Sequence, residues 1–154
     1  MPAKDDPDLT VVYTDGACLG NPGPGGWAWA LGPTHYRSGN ERQTTNQRME
    51  LTAVLRALQE LDGPVQVVSD STYVVNCFRD KWWRGWRSRG WRNSKGMAVA
   101  NRDLWEPLIS IVVDLRPADV SFKWVKGHAT NEGNNLVDRL ANEAARLQAP
   151  SAAG

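Results

Sequence analysis

Two cysteines, Cys18 and Cys77, and two histidines are all that this chain of 154 residues offers as soft metal ligands. That is too few for a convincing structural zinc site, and two widely spaced cysteines do not make a disulfide scaffold. Free thiols in a reducing compartment are the expectation, with the protein in the cytoplasm. No stretch reaches the roughly 18 continuous apolar residues of a membrane span, and Met1 to Leu9 lacks the apolar core of a secretory signal, so no membrane association is expected. The glycine run from Gly20 to Gly26 has no Gly-Lys-Ser/Thr ending and leads into no helix, which excludes a nucleoside triphosphate loop and leaves a turn between strands. No nucleotide cofactor is expected. Internal repeats and low-complexity stretches are also missing. What remains, at 41% hydrophobic residues, is enough for one compact domain with a core.

Acids are missing from one place in particular. Between Lys81 and Lys95 the chain carries six cations (Lys81, Arg84, Arg87, Arg89, Arg92, Lys95) and no Asp or Glu, so the formal net charge of +1 conceals a basic segment on an acidic remainder. The same segment holds Trp82, Trp83, Trp86 and Trp91, four of the eight tryptophans. Cations neutralise phosphates and indoles stack on sugars or bases, which makes this the composition of a nucleic-acid contact. A solvated charge run is the blander reading, weakened by the interleaved indoles. Large indoles are usually well buried, so at least two of Trp83, Trp86 and Trp91 are expected to form a small satellite core for a basic protrusion.

Hydrophobic periodicity predicts strands over Leu9–Asp15, Gly26–Gly32 and His35–Thr45, joined by Gly and Pro turns suited to antiparallel neighbours. A helix over Asn46–Leu61 follows, with Leu51, Val54, Leu55 and Leu58 on one face and Thr45 or Asn46 as its N-cap. Taken alone, Asn46 reads as a cap residue rather than as a substrate contact. A buried strand over Val65–Ser69, helices over Ser71–Phe78 and Asn101–Leu115, a strand over Val120–Val125 and a helix over Asn131–Leu147 complete the pattern. Strands joined by helical crossovers imply an α/β fold, a mixed sheet covered by helices, with ligand sites at strand ends near a switch in strand order. Residues 1–8 and 148–154 read as flexible tails.

Four acids stand at element ends or inside helices: Asp15 closing the first strand, Glu50 opening a helix, Asp70 closing Val65–Ser69, and Asp138 in the last helix. A single Asp at a turn usually caps its own backbone. Four carboxylates crowded at one point would repel one another unless a divalent cation filled the cluster, and hard oxygen ligands select Mg²⁺ or Mn²⁺ over zinc. Two such ions can activate a water and stabilise the charge that develops during phosphodiester hydrolysis.

The segments TDGACLGNPGPGG, TTNQRMEL, VVSDSTYVV and WVKGHATNEGNNLVDRLA, in this order and spacing, resemble ribonuclease H of type 1 from about Thr10 to Arg146. The resemblance implies a ribonuclease H-like fold: a five-stranded mixed sheet with its first three strands antiparallel and its first and fourth adjacent. Residues 9–147 would be the catalytic domain, with a basic helical protrusion at about 81–95. It implies an endoribonuclease that cuts the RNA strand of RNA/DNA hybrids and leaves 3′-OH and 5′-phosphate ends. Two Mg²⁺ ions would be used during catalysis, with Mn²⁺ as a possible substitute. Carried over by position, the metal ligands and catalytic acids are Asp15, Glu50, Asp70 and Asp138, with Glu50 also orienting the attacking water. His128, which alone reads as a solvated loop residue, would assist proton transfer or release of product or metal from a flexible loop. Cys18 and Asn21 would touch the RNA strand, Asn46 and Gln47 would read 2′-hydroxyls and the minor groove, Thr45 would hold a DNA phosphate and Trp82 would pack on DNA sugars. Arg84, Arg87, Arg89 and Arg92 would be the electrostatic handle. The partner is thus an RNA/DNA hybrid duplex, and the protein is expected to act as a monomer.

One departure is Thr72, where many bacterial members carry a longer amide. No separate hybrid-binding module is expected ahead of residue 9. Two rival readings are a ribonuclease H-fold DNA nuclease or strand transferase, whose members lack the combined TTNQRMEL and WVKGHATNEGNN segments, and a catalytically silent hybrid-binding module, which should have lost at least one acid.

Overall fold

In the computed structural model, which describes residues 7–127, 131–150 and 152–154, the first three strands are β1 (Thr10–Cys18), β2 (Gly23–Gly32) and β3 (His35–Thr44). Helix α1 (Asn46–Glu60), strand β4 (Val65–Ser69) and helices α2 (Thr72–Arg79), α3 (Trp82–Ser88) and α4 (Arg102–Ile109) follow. A π-helical turn over Ser110–Leu115, strand β5 (Val120–Trp124), helix α5 (Glu132–Leu147) and a two-residue strand β6 (Ala152–Ala153) complete the order. The strands lie in the order β5-β4-β1-β2-β3-β6. Neighbours from β1 through β2 and β3 to β6 are antiparallel, whereas β4 runs parallel to β1 and β5 parallel to β4. The five-stranded mixed sheet expected from the sequence is present, with β6 extending the β3 edge inside the segment read as a C-terminal tail. At that edge the Asn40 side-chain amide also donates to the Ala149 carbonyl.

Period-two alternation assigns the two faces of the sheet. In β2, Trp27 and Trp29 join the main core with Val12, Met49, Leu51, Val54 and Trp105, while Ala28 and Ala30 face Val137, Ala141 and Ala145 of α5. The four-residue spacing of those α5 residues puts them on one face, and their small partners on β2 let the helix lie close. Helix α1 covers the opposite face. Its Leu51 and Val54 are fully buried, each such side chain contributing about 1.5–3 kcal/mol relative to exposure.

Four expectations change. Strand β1 continues through Asp15 to Cys18, because Asp15 to Cys18 still pair with β2 after the ladder to β4 has stopped at Thr14↔Ser69. Thr45, not Asn46, is the N-cap of α1: its extended backbone turns the hydroxyl to accept from Arg48 N–H at 3.2 Å, and Asn46 is already helical. The helix expected over Asn101–Leu115 is continuous from Arg102 but changes type, passing from α4, which contains Pro107, into a π-helical turn at Ser110. Trp83, Trp86 and Trp91 form no separate satellite core. They pack against the main one, where Trp86 meets the fully buried Trp105 edge-on at 5.4 Å.

Candidate active site

Strand order places the acids. The parallel ladder between β1 and β4 ends at Thr14↔Ser69, so Asp15, still in β1, and Asp70, just past the end of β4, come next side by side, at the junction where β1 has an antiparallel neighbour on one side and a parallel one on the other. This is the switch in strand order at which such sheets open a crevice. Gly16 brings the helix in: a Cβ there would overlap the Met49–Glu50 backbone, so only glycine lets α1 deliver Glu50 beside Asp15. One oxygen from each of Asp15, Glu50 and Asp70 lies within 4.8 Å of the others. Asp138 projects from α5 into the same recess of about 440 Å³, which Asn46, Gln47, Tyr73 and Gly127 also line. All four acids singled out from the sequence therefore meet.

The electrostatics are those of an overcrowded anionic site. Asp15 and Glu50 are 3% and 6% exposed. Burial, followed by the charge of Asp70, pushes the Asp15 carboxyl up to about 8, against the opposing help of its bond from Gly16 N–H at 2.9 Å. Burial, then the charges of Asp15 and Asp70, also raise Glu50 well above the carboxylate range, with its close approach to Asp15 adding to the rise. Asp70 is raised by burial and then by Asp138, with the Asn134 amide favouring its charged form. Glu50 Oε2 is buried without a hydrogen-bond partner. An unpartnered buried oxygen beside two acids, in a pair that retains a proton, is what a hard divalent cation would relieve. The donor set is all oxygen and fits Mg²⁺ or Mn²⁺.

The other residues singled out fall into two groups. Around the recess, Asn21 Oδ1 accepts from Asn46 N–H at 3.0 Å, which ties the β1–β2 turn to the start of α1, and Gln47 follows on the same turn of helix. Cys18 donates to the Gly20 carbonyl at 2.8 Å inside that turn. Trp82 is half-buried, with its ring 6.5 Å from that of Tyr73, so it stands beside the recess. The arginines are set apart from it and held by protein contacts. Arg84 lies over the Trp83 ring, Arg87 makes two bonds to Asp114 at 3.1 and 2.7 Å, Arg89 Nε donates to the Arg92 carbonyl and Arg92 to the Gly96 carbonyl. His128 lies outside the described residues.

Two neighbours of Asp70 were not singled out from the sequence. Asn134, almost fully buried, stands one helical turn before Asp138, a spacing that puts both on one face and could have pointed to it. Trp124, at the end of β5, donates its indole N–H to the Asp70 carbonyl at 3.0 Å. Nothing local in the chain signals that contact.

The sequence profile of the RNase H family matches residues 7–146. A protein named Ribonuclease H from Thermoanaerobacter sp. (strain X514) is 48% identical over 141 residues, covering 88% of this chain and 89% of that one. Among solved structures, LC9-RNase H1, described as a type 1 RNase H with the type 2 active-site motif, superimposes with a TM-score of 0.76 at 30% identity, over 95% of this chain and 77% of that one. A foamy viral protease-reverse transcriptase in complex with RNA/DNA hybrid gives 0.73 at 26% identity, over 89% of this chain and 20% of that one. With the profile spanning nearly the whole chain and the acids gathered at the strand switch, the chain belongs to the ribonuclease H family.

Proposed function

We propose that this chain is an endoribonuclease that hydrolyses the RNA strand of RNA/DNA hybrids at the carboxylate recess, leaving 3′-OH and 5′-phosphate ends. The observation that carries the reading is the cluster of Asp15, Glu50 and Asp70 within 4.8 Å, completed by Asp138 at its rim. These residues would hold Mg²⁺, two ions in the full reaction, and the metal would supply Lewis-acid stabilisation of phosphate charge and a more acidic water. Family membership and the hybrid bound by a relative support the substrate.

The residues themselves do the positioning. Glu50, which lines the recess beside Asp15 and Asp70, is assigned the orientation of the attacking water toward phosphorus. Water adds to phosphorus as the bond to the 3′ oxygen breaks; the water gives up one proton to the surrounding acid–base groups or solvent, and the departing 3′ oxygen takes one up to become the 3′-OH. His128 is assigned to proton transfer or product release. Discrimination against DNA requires groups that both donate to and accept from the 2′-OH. Asn21 spends its oxygen on Asn46 N–H and keeps its amide N–H₂ free for that task, beside Gln47. Trp82 offers an apolar platform for deoxyribose, Thr45 is assigned a DNA phosphate, and Arg84, Arg87 and Arg89 supply sequence-independent attraction.

The test is a hybrid labelled on each strand in turn, beside RNA/RNA and DNA/DNA duplexes, with Mg²⁺ and with chelator. Cleavage confined to the RNA of the hybrid and dependent on metal is expected. Cutting of a DNA strand, or binding without cleavage, would overturn the reading.

A further inference from the structure

We propose that Trp124 is a positioning residue for Asp70, holding it in the geometry that metal and substrate require. The proposal rests on the assignment of Asp70 to the active site. Asp70 is the first residue after β4, where the sheet no longer holds the chain, and its carboxylate is only partly buried. Its backbone is nevertheless braced by the end of β5. Trp124 pairs with Ser69 in the parallel ladder, Val125 N–H donates to the Ser69 carbonyl at 3.0 Å, and the indole N–H of Trp124 reaches one residue further to the Asp70 carbonyl at 3.0 Å. Beyond it, Gly127 backs onto the carboxylate itself, a Cβ there falling 3.0 Å from Oδ2.

The exposure of the ring is the telling feature. Trp124 is 47% exposed, so burial explains little of why the largest side chain stands at this position. Its hydrogen bond to the backbone carbonyl of Asp70, a residue of the carboxylate cluster, explains it. A site of this kind loses much of its rate when a ligand shifts by about 1 Å, and loop backbone at a strand end moves by that much unless tied.

Trp124→Phe keeps an aromatic ring and deletes the donor. With hybrid as substrate, kcat should fall about fivefold, the scale of one net hydrogen bond, while KM for the hybrid stays unchanged. Mg²⁺ affinity of the substrate-free protein, read by calorimetry, should fall by a similar factor. In the wild-type NMR spectrum the indole N–H signal that Trp124→Phe removes should exchange slowly with solvent despite the exposed ring, and should shift on addition of Mg²⁺. Trp124→Leu should match Trp124→Phe, since the donor and not the packing is at issue. Gly127→Ala, which crowds Oδ2 and leaves the indole in place, should lower Mg²⁺ affinity as well. Wild-type kcat and Mg²⁺ affinity in Trp124→Phe, a fast-exchanging indole, or a loss seen only in Trp124→Leu would each overturn the proposal. Should wild-type protein fail to cut hybrid, the activity reading falls, while the exchange and calorimetric measurements still decide whether Trp124 braces Asp70.

Discussion

Replacing Asp15 by Asn should abolish cleavage and make the metal-free protein more stable. Asp15 is 3% exposed, and its carboxyl is raised from 3.8 to about 8 by burial and the neighbouring charge of Asp70. A folded-state pKa above the unfolded value means that the folded chain takes up the extra proton. The stability linked to this group is complete below about pH 4 and is lost as pH rises through about 8. At about 1.4 kcal/mol per unit, the full span sets a ceiling of about 6 kcal/mol. Relaxation of the site and the coupled titration of Glu50 bring the expected gain for Asp15→Asn to about 2 kcal/mol, or about 4–8 °C in Tm for a domain of this size. The assay is thermal unfolding in chelator at pH 8 and pH 5, with and without Mg²⁺. The variant should melt higher at pH 8, the difference should shrink at pH 5 where wild type binds its proton, and Mg²⁺ should stabilise wild type far more than the variant. An Asp15→Asn protein that melts at or below wild type at pH 8 in chelator would refute the argument that the cluster is strained by its own charge.

Changing Arg87, Arg89 and Arg92 together to Ala should raise KM and flatten the salt dependence more than it lowers kcat. The Arg87–Asp114 pair is partly exposed on both sides, so its loss should change stability little, and a large fall in stability on denaturant titration would reassign these arginines to folding. Burial pushes the Cys77 thiol up to about 12, so alkylation of the native protein should stop at Cys18, with Cys77 reacting only on unfolding. Modification of both thiols in the folded protein, followed by mass spectrometry, would contradict the packing around α2.

Element types were legible from local pattern. The apolar spacing of α1 and the short run Val65–Ser69 survive in the structure with little change, since a period of 3.6 or 2 is itself the condition for burying one face. Ends were less legible. Whether Thr45 or Asn46 caps α1 turns on one backbone dihedral, and the length of β1 on how far β2 continues beside it. Pro107 was visible in the chain, but the change from α-helix to π-turn at Ser110 carries no local signal.

The acids themselves were plain in the chain, and motif spacing was enough to group Asp15, Glu50, Asp70 and Asp138 before any coordinates. Their chemistry was not. A carboxylate pKa pushed up to about 8 at Asp15, a raised Glu50 beside it, and an oxygen left without a partner depend on burial and on distances between residues 20 positions or more apart, which no local pattern encodes. The same holds for Trp124, whose indole reads as one more large apolar side chain until β5 is laid against β4 and its N–H meets the Asp70 carbonyl. Residue type and order are written along one dimension, and they specify which groups the chain carries. Dielectric, crowding and the reach of a hydrogen bond are properties of three dimensions, and those set what the groups can do.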